Sequence, residues 1–194
     1  MTISRIFIIL FALISFSAIG IAQSALNSGD IVESLQGLET APPGVTAVVL
    51  RQRALDRIQS HQADSAINRE PLSEQLNRLP QFTVEITFNF DSAVIRPESY
   101  RTVGRIADAL HHPYLLGYKV LIVGHTDATG KRSYNLDLSQ KRADAIREVL
   151  VTTFGITPRR VEAVGLGEEQ LRNSSNPKSA ENRRVQLITI GKMN

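Results

Sequence analysis

The chain has 194 residues, with 22 Lys and Arg against 19 Asp and Glu, a formal charge of +3, 42% hydrophobic residues and no cysteine. That apolar content is enough for a folded core. The absence of cysteine excludes disulfides, cysteine nucleophiles, thiolate metal sites, iron–sulfur clusters and a thioether-linked lipid. The sequence pI is about 9.4, yet the basic residues are scattered among acids and form no stripe, so nucleic acid is not an expected partner.

Arg5 is the only charged side chain before Asp30, and Ile6 to Ala22 is almost continuously apolar. As a helix that run would reach about 25 Å against a hydrocarbon core of about 30 Å, short for a span. The basic start, the apolar stretch and the small-residue site Gly20-Ile21-Ala22 are the pattern of a secretory signal peptide cleaved after Ala22. An uncleaved inner-membrane anchor is the alternative, and both readings export the remainder. Residues 23–80 read as a tether with short amphipathic helices. Ile31, Leu35 and Leu38 share one helical face, Pro42-Pro43-Gly44 interrupts, and Val48, Ala54, Leu55 and Ile58 recur among Arg51, Arg53 and Arg57. Docking of an envelope protein on this segment is the sharper alternative to a bare tether.

From Gln81 the pattern changes. Phe82, Val84, Ile86, Phe88 and Phe90 alternate with polar residues, which predicts a half-buried strand. Pro97 opens a helix carrying Tyr100, Val103, Ile106, Ala107 and Leu110, which His111-His112-Pro113 ends. Val120–Val123 predicts a central strand buried on both faces. A loop from Gly124 to Lys131, a helix over Ser133–Phe154, a strand over Val161–Val164, a turn at Asn176-Pro177 and a last strand over Val185–Ile190 complete the order. The expected class is α/β, of the α+β two-layer sandwich type: a mixed four-stranded sheet with helices on one face, in β-α-β-α-β-(α)-β order. The 58 residues from 23 to 80 are too few for a transmembrane β-barrel.

The loop after the central strand, Gly124-His125-Thr126-Asp127-Ala128-Thr129-Gly130-Lys131-Arg132, lies where α/β proteins place ligands. It fails as a phosphate loop, because five residues separate its glycines and Arg132 stands where Ser or Thr belongs. Gly165-Leu166-Gly167 fails as a dinucleotide fingerprint because Gln170 takes the third glycine position. His125 and Asp127 could share a metal, but no third ligand is evident, and no G-x-S-x-G or H-E-x-x-H occurs. His125 reads better as a structural hydrogen-bonder, and neither a cofactor nor a metal is expected. Asn135 and Arg142 lie seven apart, on one face of the second helix, with Leu138 between them and Ile146 and Val149 continuing the stripe. An arginine in an apolar stripe calls for an anion. Asp127 is either its partner or a co-binder of a ligand, and snorkelling to water is the plain alternative.

Gly124 to Gly130 with Tyr134-Asn135, Leu138-Ser139 and Arg142-Ala143, then Val164-Gly165-Leu166-Gly167-Glu168, Asn182-Arg183-Arg184-Val185, and Phe90-Asp91 with Ile95 resemble the C-terminal domain of the OmpA family in order and spacing. The match runs from about Val84 to Ile190, which places an OmpA-like domain at 81–194 and leaves residues 1–80 outside it. The resemblance implies noncatalytic binding of peptidoglycan through diaminopimelate of the stem peptide, in the periplasm of a Gram-negative envelope and associated with the outer membrane. It implies that Asp127 and Arg142 contact the ligand, that Thr129 and Asn135 line the site, that Arg183 is a further contact and that Asp91 and Leu138 support it. Ala93 departs from members that carry a polar side chain there. Zero cysteine separates the chain from the lipoprotein form of the family. An envelope hydrolase is the remaining alternative.

Overall fold

The structure, a computed structural model, describes residues 26–38, 40 and 42–193; the signal-peptide reading of residues 1–22 lies outside the described residues. The elements run α1 (Ser28–Leu35), α2 (Ala47–Gln59), β1 (Gln81–Val84), α3 (Tyr100–His111), β2 (Tyr118–His125), α4 (Arg132–Thr152), β3 (Val161–Gly167) and β4 (Val185–Lys192). The strands form one mixed sheet in the order β1-β4-β2-β3. β4 is antiparallel to both neighbours, and β2 and β3 are parallel. That parallel pair needs a crossover, which α4 supplies. The predicted mixed four-stranded sheet is therefore present.

Side chains on β2 alternate between two cores. Val120 and Ile122 pack with Val103, Ile106 and Leu110 of α3, Ala143, Ile146 and Leu150 of α4, and Ile31, Val32 and Leu35 of α1. Leu121 and Val123 face the other way, with Val164, Leu166, Ile188 and Ile190, under Leu50 and Ala54 of α2 and Leu76 of the short 3-10 turn Glu74–Arg78. Helices thus cover both faces of the sheet, where the sequence predicted one. The physical reason is that a sheet apolar on both sides must bury both.

Residues 45–79 supply that second cover, while α1 packs into the first core, so the described part of the segment expected as a tether lies against the sheet. The chain leaves α1, passes Tyr118, whose hydroxyl accepts from Gly37 N, and enters the second core at Leu38 and Val45. Both predicted amphipathic helices form, but α2 buries Leu50 and Ala54 and leaves Val48 78% exposed. The segment is also locked electrostatically. Arg69 reaches Glu168 at 3.1 Å and Glu169 at 3.4 Å, all three buried. Arg132 grips both oxygens of Glu169 at 2.9 and 2.8 Å and pairs with Asp64 at 2.6 Å. Charges this buried persist only when paired.

The first strand is shorter than its period-2 pattern. β1 ends at Val84, Phe88 makes only an isolated bridge to Ile95, and Phe90 is 100% exposed. The chain bends there through Asp91, at φ +51°, a conformation Asp tolerates better than most residues.

Candidate functional site

The site lies beyond the C-terminal end of β2, where the 126–131 loop, the first turns of α4, the segment entering β4 and the 88–92 bend converge. Each backbone is pinned. Thr126 N donates to Gly167 O and Ala128 N to Pro177 O, both at 3.0 Å, and His125 N donates to Arg184 O at 3.0 Å. Asn135 is the clasp: its Nδ2 donates to the carbonyls of Asp127 (3.2 Å) and Thr129 (3.1 Å) and to Glu168 Oε2 (2.7 Å). Glu168 is the carboxylate held by Arg69, so the N-terminal segment reaches the loop through two side chains. Asn182, fully buried, accepts from Arg172 N and Asn173 N and donates to three carbonyls between 173 and 177, which fixes the residue next to Arg183.

The seven residues expected from the sequence, Asp91, Asp127, Thr129, Asn135, Leu138, Arg142 and Arg183, all line one open cleft of about 250 Å³. Phe90, Thr126 and Tyr134 line it too. The anticipated pairing of Asp127 with Arg142 does not form. Asp127 Oδ2 instead accepts from Arg183 Nη1 at 2.6 Å, while Oδ1 accepts from Thr129 N at 3.0 Å. Arg142 lies 4.9 Å over the Phe88 ring and donates from Nε to Ser92 O at 3.0 Å. Among the described residues no ion pair includes it. Its pKa is lowered by burial first; Asp91 raises it, Arg183 lowers it further and Asp127 raises it. The cleft therefore holds two guanidiniums and two carboxylates, with the more enclosed guanidinium lacking a salt bridge.

His125 departs from its expected role. It is buried, and neither ring nitrogen has a hydrogen-bond partner among the described residues. The ring shares a small cavity with Ile86, Phe88 and Val185 and with the polar Ser139, Arg142, Arg183 and Arg184. Burial, then the nearby Arg184 charge, push its pKa well below 6.5, with Gln186 acting the other way, so it is neutral at pH 7. Asn135 is also more a loop-shaping residue than an open contact, being only 3% exposed. Sequence reasoning missed Phe88 as the support of Arg142 and the buried anchors Glu168 and Asn182. The last two stand inside quoted motifs; Phe88 had only its place in an alternating run.

A model of the OmpA family matches residues 87–184, half of the chain and all of this site except the contacts from upstream. The chain belongs to the OmpA family. Among its relatives, the outer membrane porin F of Pseudomonas fluorescens is 40% identical over 106 residues, covering 53% of this chain and 31% of the porin. The peptidoglycan-associated lipoprotein of Pseudomonas putida is 36% identical over 102 residues, covering 52% of this chain and 59% of the lipoprotein. The chain thus spans under two thirds of either relative. A solved structure of a putative MotB like protein from Desulfovibrio vulgaris shares the fold, with a TM-score of 0.50 and 21% identity over 76% of this chain and 94% of its own. The described residues before β1 lie outside the 87–184 match and pack onto the sheet, α1 in the first core and residues 45–79 in the second.

Proposed function

We propose that the protein binds peptidoglycan without catalysis, through the free end of diaminopimelate in the stem peptide, within the periplasm of a Gram-negative envelope. The observation that carries this reading is the half-buried Arg142 without an ion pair, in a cleft it shares with Asp127, Asp91 and Arg183. The end of a diaminopimelate side chain carries an ammonium and a carboxylate on one carbon. Its carboxylate suits a guanidinium fork, and its ammonium suits a carboxylate acceptor. Arg142 and Asp127 offer one of each, and Arg183 sits across Asp127 as a second cation. A lysine-type stem peptide lacks the carboxylate and leaves Arg142 unpaired, which is a strong basis for discrimination. Family membership, and a relative whose name is peptidoglycan-associated lipoprotein, support the same ligand and compartment.

Sedimentation with purified sacculi tests the reading. Each charged hydrogen bond contributes about 1.5–3 kcal/mol, so Asp127→Ala or Arg142→Ala weakens binding roughly ten- to a hundredfold. Lysine-type sacculi bind correspondingly less. Equal sedimentation of wild type and both variants would remove the assignment, and release of muropeptide products by the purified protein would replace binding with hydrolysis.

A further inference from the structure

Arg183 and Arg184 are consecutive, yet Arg184 also lines a second cavity, of about 430 Å³, that contains none of the peptide-cleft residues Asp127, Arg142 and Arg183. Its walls come from Asn77 in the 3-10 turn, Gln81 and Thr83 on β1, Gln186 on β4, and Arg172. Arg69 is also in the wall, so three arginines line this cavity, and no Asp or Glu does. Arg69 is neutralised by Glu168 and Glu169. Arg184 is not: among the described residues its guanidinium donates only to neutral oxygens, Gln170 O at 2.9 Å, Gln186 Oε1 at 3.1 Å and Asn182 O at 3.4 Å. The Arg172 side chain makes no hydrogen bond or ion pair among the described residues. Burial, and then repulsion from Arg172, lower the Arg184 pKa to about 10.

A half-buried guanidinium beside a second one, in a polar cavity without a carboxylate, is stabilised by an anion from outside. We propose that this cavity is a second binding site, for an oxyanion, carboxylate or phosphate, held between Arg172 and Arg184. Gln186 donates to Gln81 at 2.6 Å and Gln81 to Leu76 O, so those two amides hold the wall, and the Asn77 amide nitrogen and the Thr83 hydroxyl suit a polar body attached to that anion. Arg69, Pro71 and Asn77 come from the segment packed against the sheet, so the site depends on that segment.

The test uses the full chain with 15N-labelled arginine, and follows the Nε–Hε resonances during separate titrations with inorganic phosphate and with citrate. A saturable shift at Arg184, weakened at least fivefold in Arg172→Gln and unchanged in Asp127→Ala, is the expected result. The tighter of the two probes identifies the source of the anion. Arg172 is exposed, so its replacement does not endanger the fold. No saturable shift with either probe, or an unchanged apparent Kd in Arg172→Gln, overturns the site. Sacculus binding is read separately, so failure here is distinct from failure of the peptide cleft.

Discussion

At the residue scale, His125 carries a measurable consequence of its burial. Its folded pKa lies well below 6.5, so below that pH the unfolded chain takes a proton that the native state refuses. The stability held by the neutral ring is complete above pH 6.5 and falls as pH drops toward the folded pKa, by up to about 1.4 kcal/mol per pH unit. Urea unfolding at pH 7.5 and 5.5 should show this loss, roughly 1 kcal/mol of it absent in His125→Gln. A pH dependence identical in the two proteins would place the titration elsewhere. The same ring limits what residues alone reveal. Asp127, Arg142, Arg183, Asn135 and Thr129 could be named from spacing and resemblance, and they do meet in one cleft. Which cation faces which carboxylate could not be named. Asp127 lies eight residues before Asn135 but 56 before Arg183, and only the folded path of β4 decides that Arg183 reaches it first.

At the element scale, the crossing of α4 over β3 holds the site together. A Cβ at Gly165 would lie 2.0 Å from Gln140 N and 2.5 Å from Gln140 Cα, both backbone atoms that cannot swing aside. Gln140 Oε1 also accepts from Gly165 N at 2.8 Å, so helix and strand are bonded at the contact. Gly165→Ala must lift α4, which carries Asn135, Leu138 and Arg142. Overpacking of this kind costs about 1–3 kcal/mol. Chemical denaturation should register that loss together with weaker sacculus sedimentation, and a variant as stable as wild type would mean the helix has slack. Elements with a strong period were readable from the chain: α3 falls where Pro97 and His112 bound it, and α4 begins one residue before its predicted start. The first strand was not, because apolar alternation through Phe90 cannot register a left-handed turn at Asp91 that turns Phe90 out to solvent.

At the scale of the whole molecule, the second face of the sheet decides how much of the chain is one folding unit. Reading Val120–Val123 as buried on both faces already required a layer on each side, and assigning helices to one face left Leu121 and Val123 uncovered. Residues 45–79 cover them, with Leu50, Ala54, Leu76 and Leu79. Their amphipathic pattern was legible; their docking was not, because it rests on long-range pairs such as Arg69 with Glu168 and Arg51 with Asp137. A fragment comprising 81–194 should therefore bind a hydrophobic dye, unfold less cooperatively and aggregate, since exposed apolar patches of this kind associate. Fluorescence with the dye and analytical sedimentation of the fragment against the full chain measure this, and a monomeric fragment with native stability would make the upstream segment dispensable.

The packing of Leu26 against the first core sets a distance. Only three residues separate it from Ala22. At about 3.3–3.6 Å per residue, the four steps between them extend to about 14 Å at most. Anything that grips the chain at residue 22 would therefore lie within about 14 Å of Leu26. The reach of the cleft from such a grip would be set by the folded body and not by the length of the connecting chain.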